Sequence, residues 1–341
     1  MNITTVGLDL AKNVFQVHGG DEAGEVVVRK TLRRHQMTSF FSKLEPCLIG
    51  MEACGTSHHW ARELSGLGHR VKLMPPAYVK AYVKRGKTDA SDAEAICEAV
   101  SRPTMRFVAI KSPEQQSILA LHRTRDLLGR QRTQLVNMMR SQLAEFGIVL
   151  AKGIQHALRL AGQLVEGEEP DIPALAVKVI VSLAEQLRAL QARVADLEKD
   201  LKSWSRDNDA VRRLKTIPGI GAITASALDA SVTDPHQFTS GRQFAASLGL
   251  TPRANSSGGK ERMGRISKMG DRYLRRLLVN GMTSQLQSVR RNPDAHPWVT
   301  SLLRRKPAKL VAVAMANKAA RIAWVVMTRD ESYRTPTAKG A

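Results

Sequence analysis

Four carboxylates in this chain have the types and spacing to hold a metal ion. Asp9 follows Gly7 and Leu8 inside an apolar stretch, Glu52 closes the run CLIGME, and Asp89 and Asp92 stand three residues apart where a helix should begin. A three-residue spacing puts the last two on one helix face. A carboxylate at the apolar end of a buried strand is costly unless it is paired or metal-bound. Clustered acids repel one another, a divalent cation relieves that repulsion, and oxygen-only ligation suits Mg²⁺ or Mn²⁺. At a phosphodiester, two such ions can activate the attacking oxygen and stabilise the leaving one. Structural readings stand beside this one. Asp89 could be a helix N-cap with Asp92 favouring the helix dipole, and Glu52 could be a plain strand end. Asp9 is harder to dismiss, because Leu8 and Leu10 flank it. Four acids in the right order weigh more than any one of them.

The elements that must position these residues follow from hydrophobic patterning. Residues 2–10, 13–19 and 25–31 read as a three-stranded meander with a turn at Gly19–Gly24. A helix is predicted near 35–44, a fourth strand at 47–52, a helix at 57–67, a fifth strand at 69–74 ended by Pro75–Pro76, and a helix near 89–100. Three antiparallel strands followed by alternating helices and strands suit an α/β domain of the ribonuclease H type. His58 and His59 follow Glu52 closely, but adjacent histidines diverge on a helix, which favours a structural or phosphate-contact role over metal ligation.

Ser112–Pro113 is a helix start, with Ser at N-cap and Pro at the first position, and the helix is predicted to run to about 146. A polar, glycine-containing link at 162–173 leads to a second long helix. There Leu183, Leu187, Leu190, Val194, Leu197 and Leu201 form a heptad seam. The seam fits a dimeric coiled coil or a hairpin with the first long helix equally well. IPGIGAITAS (217–226) resembles a helix-hairpin-helix turn, in which Gly219 and Gly221 would let backbone N–H groups approach a phosphate. A plain glycine turn between packed helices is the alternative. Helices near 269–290 and 308–328 close a mostly helical C-terminal region.

Composition narrows the partners. The net charge is +21, and residues 250–330 hold 17 Lys or Arg against 4 Asp or Glu, so most of the excess lies in the C-terminal third. Such an excess points to a polyanion, usually nucleic acid. At 4% aromatics, base stacking is not the main binding device. The three cysteines, Cys47, Cys54 and Cys97, lack zinc-ligand spacing and cannot all pair, which fits a reduced, cytosolic compartment. The first residues are too polar for a signal peptide. Asn317, Lys318 and Arg321 interrupt the apolar stretch from Leu310 to Met327, so it reads as a buried or amphipathic helix rather than a membrane span.

Five segments together, GLDLAKNVFQVH, GMEACGTSHHW, KTDASDAEAI, IPGIGAITAS and FAASLGLTPRANSSGGKERMGRISKMGD, resemble the DEDD transposases of bacterial insertion sequences, the insertion-sequence one-ten family, in the style of its eleven-eleven branch. The resemblance spans about residues 3–330 and implies an architecture. A RuvC-type, ribonuclease H-like domain (1–108) carries Asp9, Glu52, Asp89 and Asp92. A helical coiled-coil arm (109–210), a C-terminal transposase domain (211–330) and a disordered tail (331–341) follow. It further implies a nucleophilic serine in the loop after Gly249–Arg253, matched by Ser257 with Ser256 as the fallback, and a covalent phosphoserine intermediate. Around that loop Lys260, Arg262, Arg265, Lys268, Arg272, Arg275 and Arg276 would grip phosphates. The implied partners are donor and target DNA, a bridge non-coding RNA, and further copies of the chain in a dimer or tetramer. The expected location is the bacterial cytoplasm, at the nucleoid and not in a membrane.

Without the resemblance, ANSSGGKER reads as a flexible Ser-Gly linker. Three functions compete: a serine-using, RNA-guided recombinase, a hydrolytic nuclease such as a Holliday-junction resolvase using water, and a non-catalytic nucleic-acid-binding protein. All four carboxylates are present, which disfavours the last. The basic serine loop and the added C-terminal domain favour the first over the second.

Overall fold

The computed structural model describes residues 2–83, 88–168, 170–255 and 263–334. The chain divides into two compact units, Met1–Pro113 and Glu114–Ala341.

In the first unit, β1 (Thr5–Leu10), β2 (Val14–Gly20) and β3 (Val26–Arg33) form the expected antiparallel meander. A 3₁₀ turn and the short α1 (Met37–Phe41) lead to β4 (Leu48–Glu52), α2 (Ser57–Gly66), β5 (Arg70–Met74) and α3 (Pro76–Val79). Both β4 and β5 add in parallel, giving the sheet order β3-β2-β1-β4-β5. One sheet face buries Val6, Leu8, Phe15, Val17, Leu32, Ile49 and Met51 with Trp60, Ala61 and Leu64 of α2.

The other face is covered by α4 (Asp89–Val100), and two glycines decide how closely it can lie. Gly7 and Gly50 are register partners on β1 and β4. A Cβ on Gly7 would meet the Ala93 carbonyl oxygen at 2.1 Å, and one on Gly50 would meet Val100 Cβ at 2.7 Å. Because strand side chains alternate with period two, Gly7 shares a face with Asp9 and Gly50 with Glu52. The residues that let α4 touch the sheet thus sit two positions before the acids. After α4, the segment to residue 112 is fastened within this unit. The Val108 amide donates to Leu73 O at 2.7 Å, Arg62 Nη1 to Lys111 O at 2.5 Å, and the Lys111 amide to His58 Nδ1 at 3.2 Å. His58 therefore has a structural part.

In the second unit, α5 (Pro113–Glu145) and α7 (Ala174–Asp207) run antiparallel, and α6 (Ile154–Val165) packs at their far end. The heptad seam is filled from within the chain. Leu187, Val194 and Leu201 are buried; Leu187 clusters with Val136, Met139 and Leu143 of α5, and Leu201 with Ile118. Arg125 binds Glu198 at 2.5 Å and Arg132 donates to Gln191 at 2.7 Å. The buried positions of the seam fit the hairpin alternative, while Leu183, Leu190 and Leu197 are half-buried. α6 is a difference from the sequence reading, which had a link beginning at 162; Ala157, Ala161 and Leu164 bury one face of it.

The rest of the unit is α8 (Asp209–Leu214), α9 (Ala222–Ser231), α10 (Gly241–Ser247), the hairpin β6 (Pro252–Ala254) and β7 (Met263–Ile266), α11 (Arg272–Arg291), α12 (Pro297–Arg305) and α13 (Ala308–Arg329). Among the described residues, α13 is the one helix long and apolar enough to cross a membrane. It buries Val311, Met315, Ala316, Ala320 and Val326 in this unit's core, in keeping with the sequence reading of a buried helix. Beyond it the Tyr333 amide donates to Thr216 Oγ1 at 2.8 Å, so the start of the expected disordered tail is tied down. Residues 335–341 lie outside the described residues.

A buried polar knot joins α5 to α9 and α11. His122 is 2% exposed, with Nδ1 3.0 Å from Tyr273 Oη and Nε2 3.1 Å from Ser226 Oγ. Burial, and secondarily the charge of Arg125, push the imidazole from 6.5 down to about 4. The unfolded chain therefore binds the extra proton first. Stability from His122 is fully present above pH 6.5 and is lost as pH falls toward 4, by up to about 3 kcal/mol. Urea midpoints at pH 7.5 and 4.5 should show this loss in the wild type and a smaller one in His122→Asn. An equal loss in both would remove His122 as its source.

Candidate functional site

The C-terminal ends of β1 and β4 and the N-terminus of α4 meet at the acids. Asp9 is the next-to-last residue of β1, Asp89 opens α4, and Asp92 follows one turn on. One carboxylate oxygen from each of Asp9, Asp89 and Asp92 lies within 4.8 Å of the others. Asp9 and Asp92 are half-buried and Asp89 is exposed, so the cluster opens outward. Glu52 ends the neighbouring parallel strand, one step past the Leu8–Met51 register pair and on the face shared with Gly50. It borders the cluster without belonging to the trio that converges within 4.8 Å.

The helix start answers one of the structural alternatives. The N-cap of α4 is Thr88, whose Oγ1 accepts from the Ser91 amide at 3.2 Å while the Thr88 amide donates to Ser91 Oγ at 3.1 Å. Asp89 is the first helical residue and not the cap. Thr88, Gly7 and Gly50 were missed at the sequence level, although the signals were there: a threonine three residues before a serine, and a glycine two residues before each strand acid. The donor set is all oxygen, three carboxylates converge within 4.8 Å, and the N-terminus of α4 does not use Asp89 as its cap. These residues fit a divalent cation, for which hard oxygen donors are the suitable ligands.

The second unit carries the other expected site residues. Ser256, Ser257, Lys260 and Arg262 lie outside the described residues, between β6 and β7. The base of that hairpin is well built. The Ser267 amide donates to Thr251 O at 2.8 Å, and Arg275 Nη1 donates to Leu248 O at 2.8 Å and Met269 O at 3.0 Å. Arg275 thus joins the two chain segments that feed the loop. Arg276 pairs with Asp126 and lies over the Tyr273 ring. Both arginines are engaged inside the protein, whereas Arg265, Lys268 and Arg272 are exposed.

Gly219 adopts φ +83° and abuts α11, where a Cβ would meet Met282 Cε at 2.4 Å. The left-handed backbone, together with the close approach to Gly281 of α11, accounts for that glycine without a phosphate. Gly221 is the N-cap of α9 and has open space at its Cβ position.

An α/β unit with this sheet order and converging aspartates is of the DEDD nuclease-like class. Residues 6–148 match a DEDD transposase family profile of the IS110 type, and residues 211–297 match one described as the IS116/IS110/IS902 transposase family. A probable family 20 transposase of Pseudomonas aeruginosa is 48% identical over 98% of this chain and 99% of its own length. The transposase for insertion sequence element IS1328 of Yersinia enterocolitica is 43% identical over 97% of this chain and 99% of its own. That for IS1111A of Coxiella burnetii is 39% identical over 98% and 92%. The chain belongs to the IS110 family of insertion-sequence transposases and is a DNA-acting enzyme whose DEDD domain uses divalent metal.

Proposed function

We propose that this transposase cuts and rejoins DNA through a covalent protein–DNA intermediate on Ser257, with donor and target DNA selected by a bridge RNA. The observation that carries the reading is the convergence of Asp9, Asp89 and Asp92 within 4.8 Å. These three, with Glu52 at the border, would hold Mg²⁺ or Mn²⁺, which when bound polarises the scissile phosphate and favours an ionised attacking oxygen. The serine oxygen forms a bond to phosphorus as the bond from phosphorus to the leaving sugar oxygen breaks. The hydroxyl proton passes to solvent and the leaving oxygen takes one up. One phosphoester replaces another of similar energy, so rejoining is the reverse step with a new DNA hydroxyl.

What supports the serine is its place in a hairpin loop whose base is fixed by Arg275. Exposed Arg265, Lys268 and Arg272, with Lys260 and Arg262 in the loop, supply charge for DNA and RNA phosphates. The turn at 217–226 serves as a helix-hairpin-helix contact, with Gly221 the glycine a phosphate can approach. The α5–α7 pair is the arm between the catalytic and C-terminal domains. Association into a dimer or tetramer rests on the family resemblance, since the buried positions of the heptad seam are filled within the chain. The protein works in the bacterial cytoplasm, at the nucleoid.

The test is strand cleavage by the full-length protein with the RNA transcribed from beside its own gene and a DNA duplex spanning the element end. Cleavage should require Mg²⁺ or Mn²⁺ and stop in excess chelator. Full cleavage in chelator contradicts the metal centre.

A further inference from the structure

The sheet row at the level of Asp9 continues beyond the acidic cluster. Asp9 is the register partner of Gln16 on β2, and Gln16 is that of Thr31 on β3. Cross-strand partners project to one face. The opposite face is taken by Leu8, Phe15, Val17 and Leu32 in the core. Thr31 Oγ1 donates to Gln16 Oε1 at 2.9 Å, which leaves the Gln16 Nε2 group to donate elsewhere. From the middle of the sheet to its edge the row thus reads carboxylate, amide, hydroxyl.

Arg33 stands one level beyond the row, at the end of β3. It lies two residues past Thr31, hence on the same face, is exposed, and has no carboxylate partner among the described residues. Its neighbour Arg34 is used differently, stacked over Phe15 and Trp60 at 5.8 and 5.4 Å. The row below, Gly7–His18–Arg29, is covered by α4, whose Glu94 lies 3.9 Å from Arg29. The row at Asp9 is more open: Gln16 is half-buried and Thr31 exposed. Adjacent strands are about 4.8 Å apart and rise about 3.4 Å per residue, so Thr31 stands about 10 Å and Arg33 about 12 Å from Asp9, the rise of about three to four nucleotides of one strand.

We infer that this row is the track for the DNA strand being cut. Gln16 Nε2, oriented by the Thr31 hydroxyl that donates to Gln16 Oε1, donates to the sugar–phosphate next to the scissile phosphate, and Arg33 neutralises a phosphate about three to four nucleotides away. The inference rests on the reading of Asp9, Asp89 and Asp92 as the cutting centre. A neutral amide and hydroxyl beside the acids let the backbone approach without bringing a cation that competes for the carboxylates. The guanidinium stands where it no longer does so.

The experiment is a scan with single neutral methylphosphonate linkages along the cleaved strand of the element-end duplex, with full-length protein and its RNA. Cleavage is read with Mg²⁺, and affinity for the same duplexes is read in chelator. In the wild type one linkage two to four nucleotides from the cut should cost about tenfold in affinity. Arg33→Gln should lose a similar factor on unmodified DNA and become insensitive to that linkage, while Arg33→Lys keeps most of the effect. Wild-type affinity in Arg33→Gln, with an unchanged linkage profile, overturns the track. Cleavage that persists in chelator instead overturns the metal centre, and the affinity arm still decides the track.

Discussion

Asp92→Asn should reduce strand cleavage by on the order of a thousandfold or more while leaving the fold and nucleic-acid binding in place. The asparagine has nearly the same shape, so the N-terminal turn of α4 and its Thr88–Ser91 cap are undisturbed. What it removes is one of three charges that converge within 4.8 Å. Metal-assisted stabilisation at a phosphodiester is worth several kcal/mol, and each 1.36 kcal/mol is a factor of about ten in rate. Asp9→Asn should behave alike. The melting temperature supplies a second sign. Relieving like-charge repulsion leaves the apo-protein as stable or slightly more so. If Asp92 served only the helix dipole, its loss would cost about 0.3–1 kcal/mol of stability and spare cleavage. Wild-type rates in both variants, measured by gel on labelled duplex, would contradict the site.

Ser257→Ala should abolish both the covalent adduct and recombination, and this effect is as large. With an intact serine, cleaved DNA should stay on the protein through denaturation and be released only by protease. The alanine variant should retain metal binding and DNA affinity, because Asp9, Asp89 and Asp92 lie in a different compact unit from residue 257. Ser256→Ala should be mild; a reversal of the two moves the nucleophile by one residue. Free phosphate ends with no adduct, together with unchanged cleavage by Ser257→Ala, would establish hydrolysis by water in place of strand rejoining. The structural support available is the hairpin base, where Arg275 bridges Leu248 O and Met269 O. Arg275 was expected to grip phosphate. Truncating it would loosen the loop's anchorage as well, so exposed Arg265 or Lys268 is the cleaner probe of phosphate contact.

Much of the catalytic unit was legible from sequence, because the signals there are local. The meander, the parallel strands after it and the helix at 89–100 each follow from apolar periodicity and turn residues, and all are found within a few residues of their expected bounds. Asp9 and Glu52 were legible because each breaks an apolar pattern at a strand end, and Asp89 and Asp92 because their three-residue spacing at a helix start puts them on one face. What escaped depends on tertiary approach. That α4 rests on bare backbone at Gly7 and Gly50 requires knowing which strands are adjacent. The row Asp9–Gln16–Thr31 requires the register. A heptad seam cannot say whose helix fills it; here α5 does. The helix α6 is strongly amphipathic, with Ala157, Ala161 and Leu164 buried on one face, so its signal was in the sequence and was passed over. Arg276 reads as a free cation in sequence, yet Asp126, 150 residues earlier, holds it.

The most direct test of the central claim is Mn²⁺ binding to the full-length protein without nucleic acid, followed by electron paramagnetic resonance. The wild type should bind Mn²⁺, Mg²⁺ should compete for the site, and Asp9→Asn and Asp92→Asn should each lose that binding while remaining at least as stable as the wild type. Mn²⁺ binding of equal strength in both variants would show that Asp9, Asp89 and Asp92 do not form the metal centre.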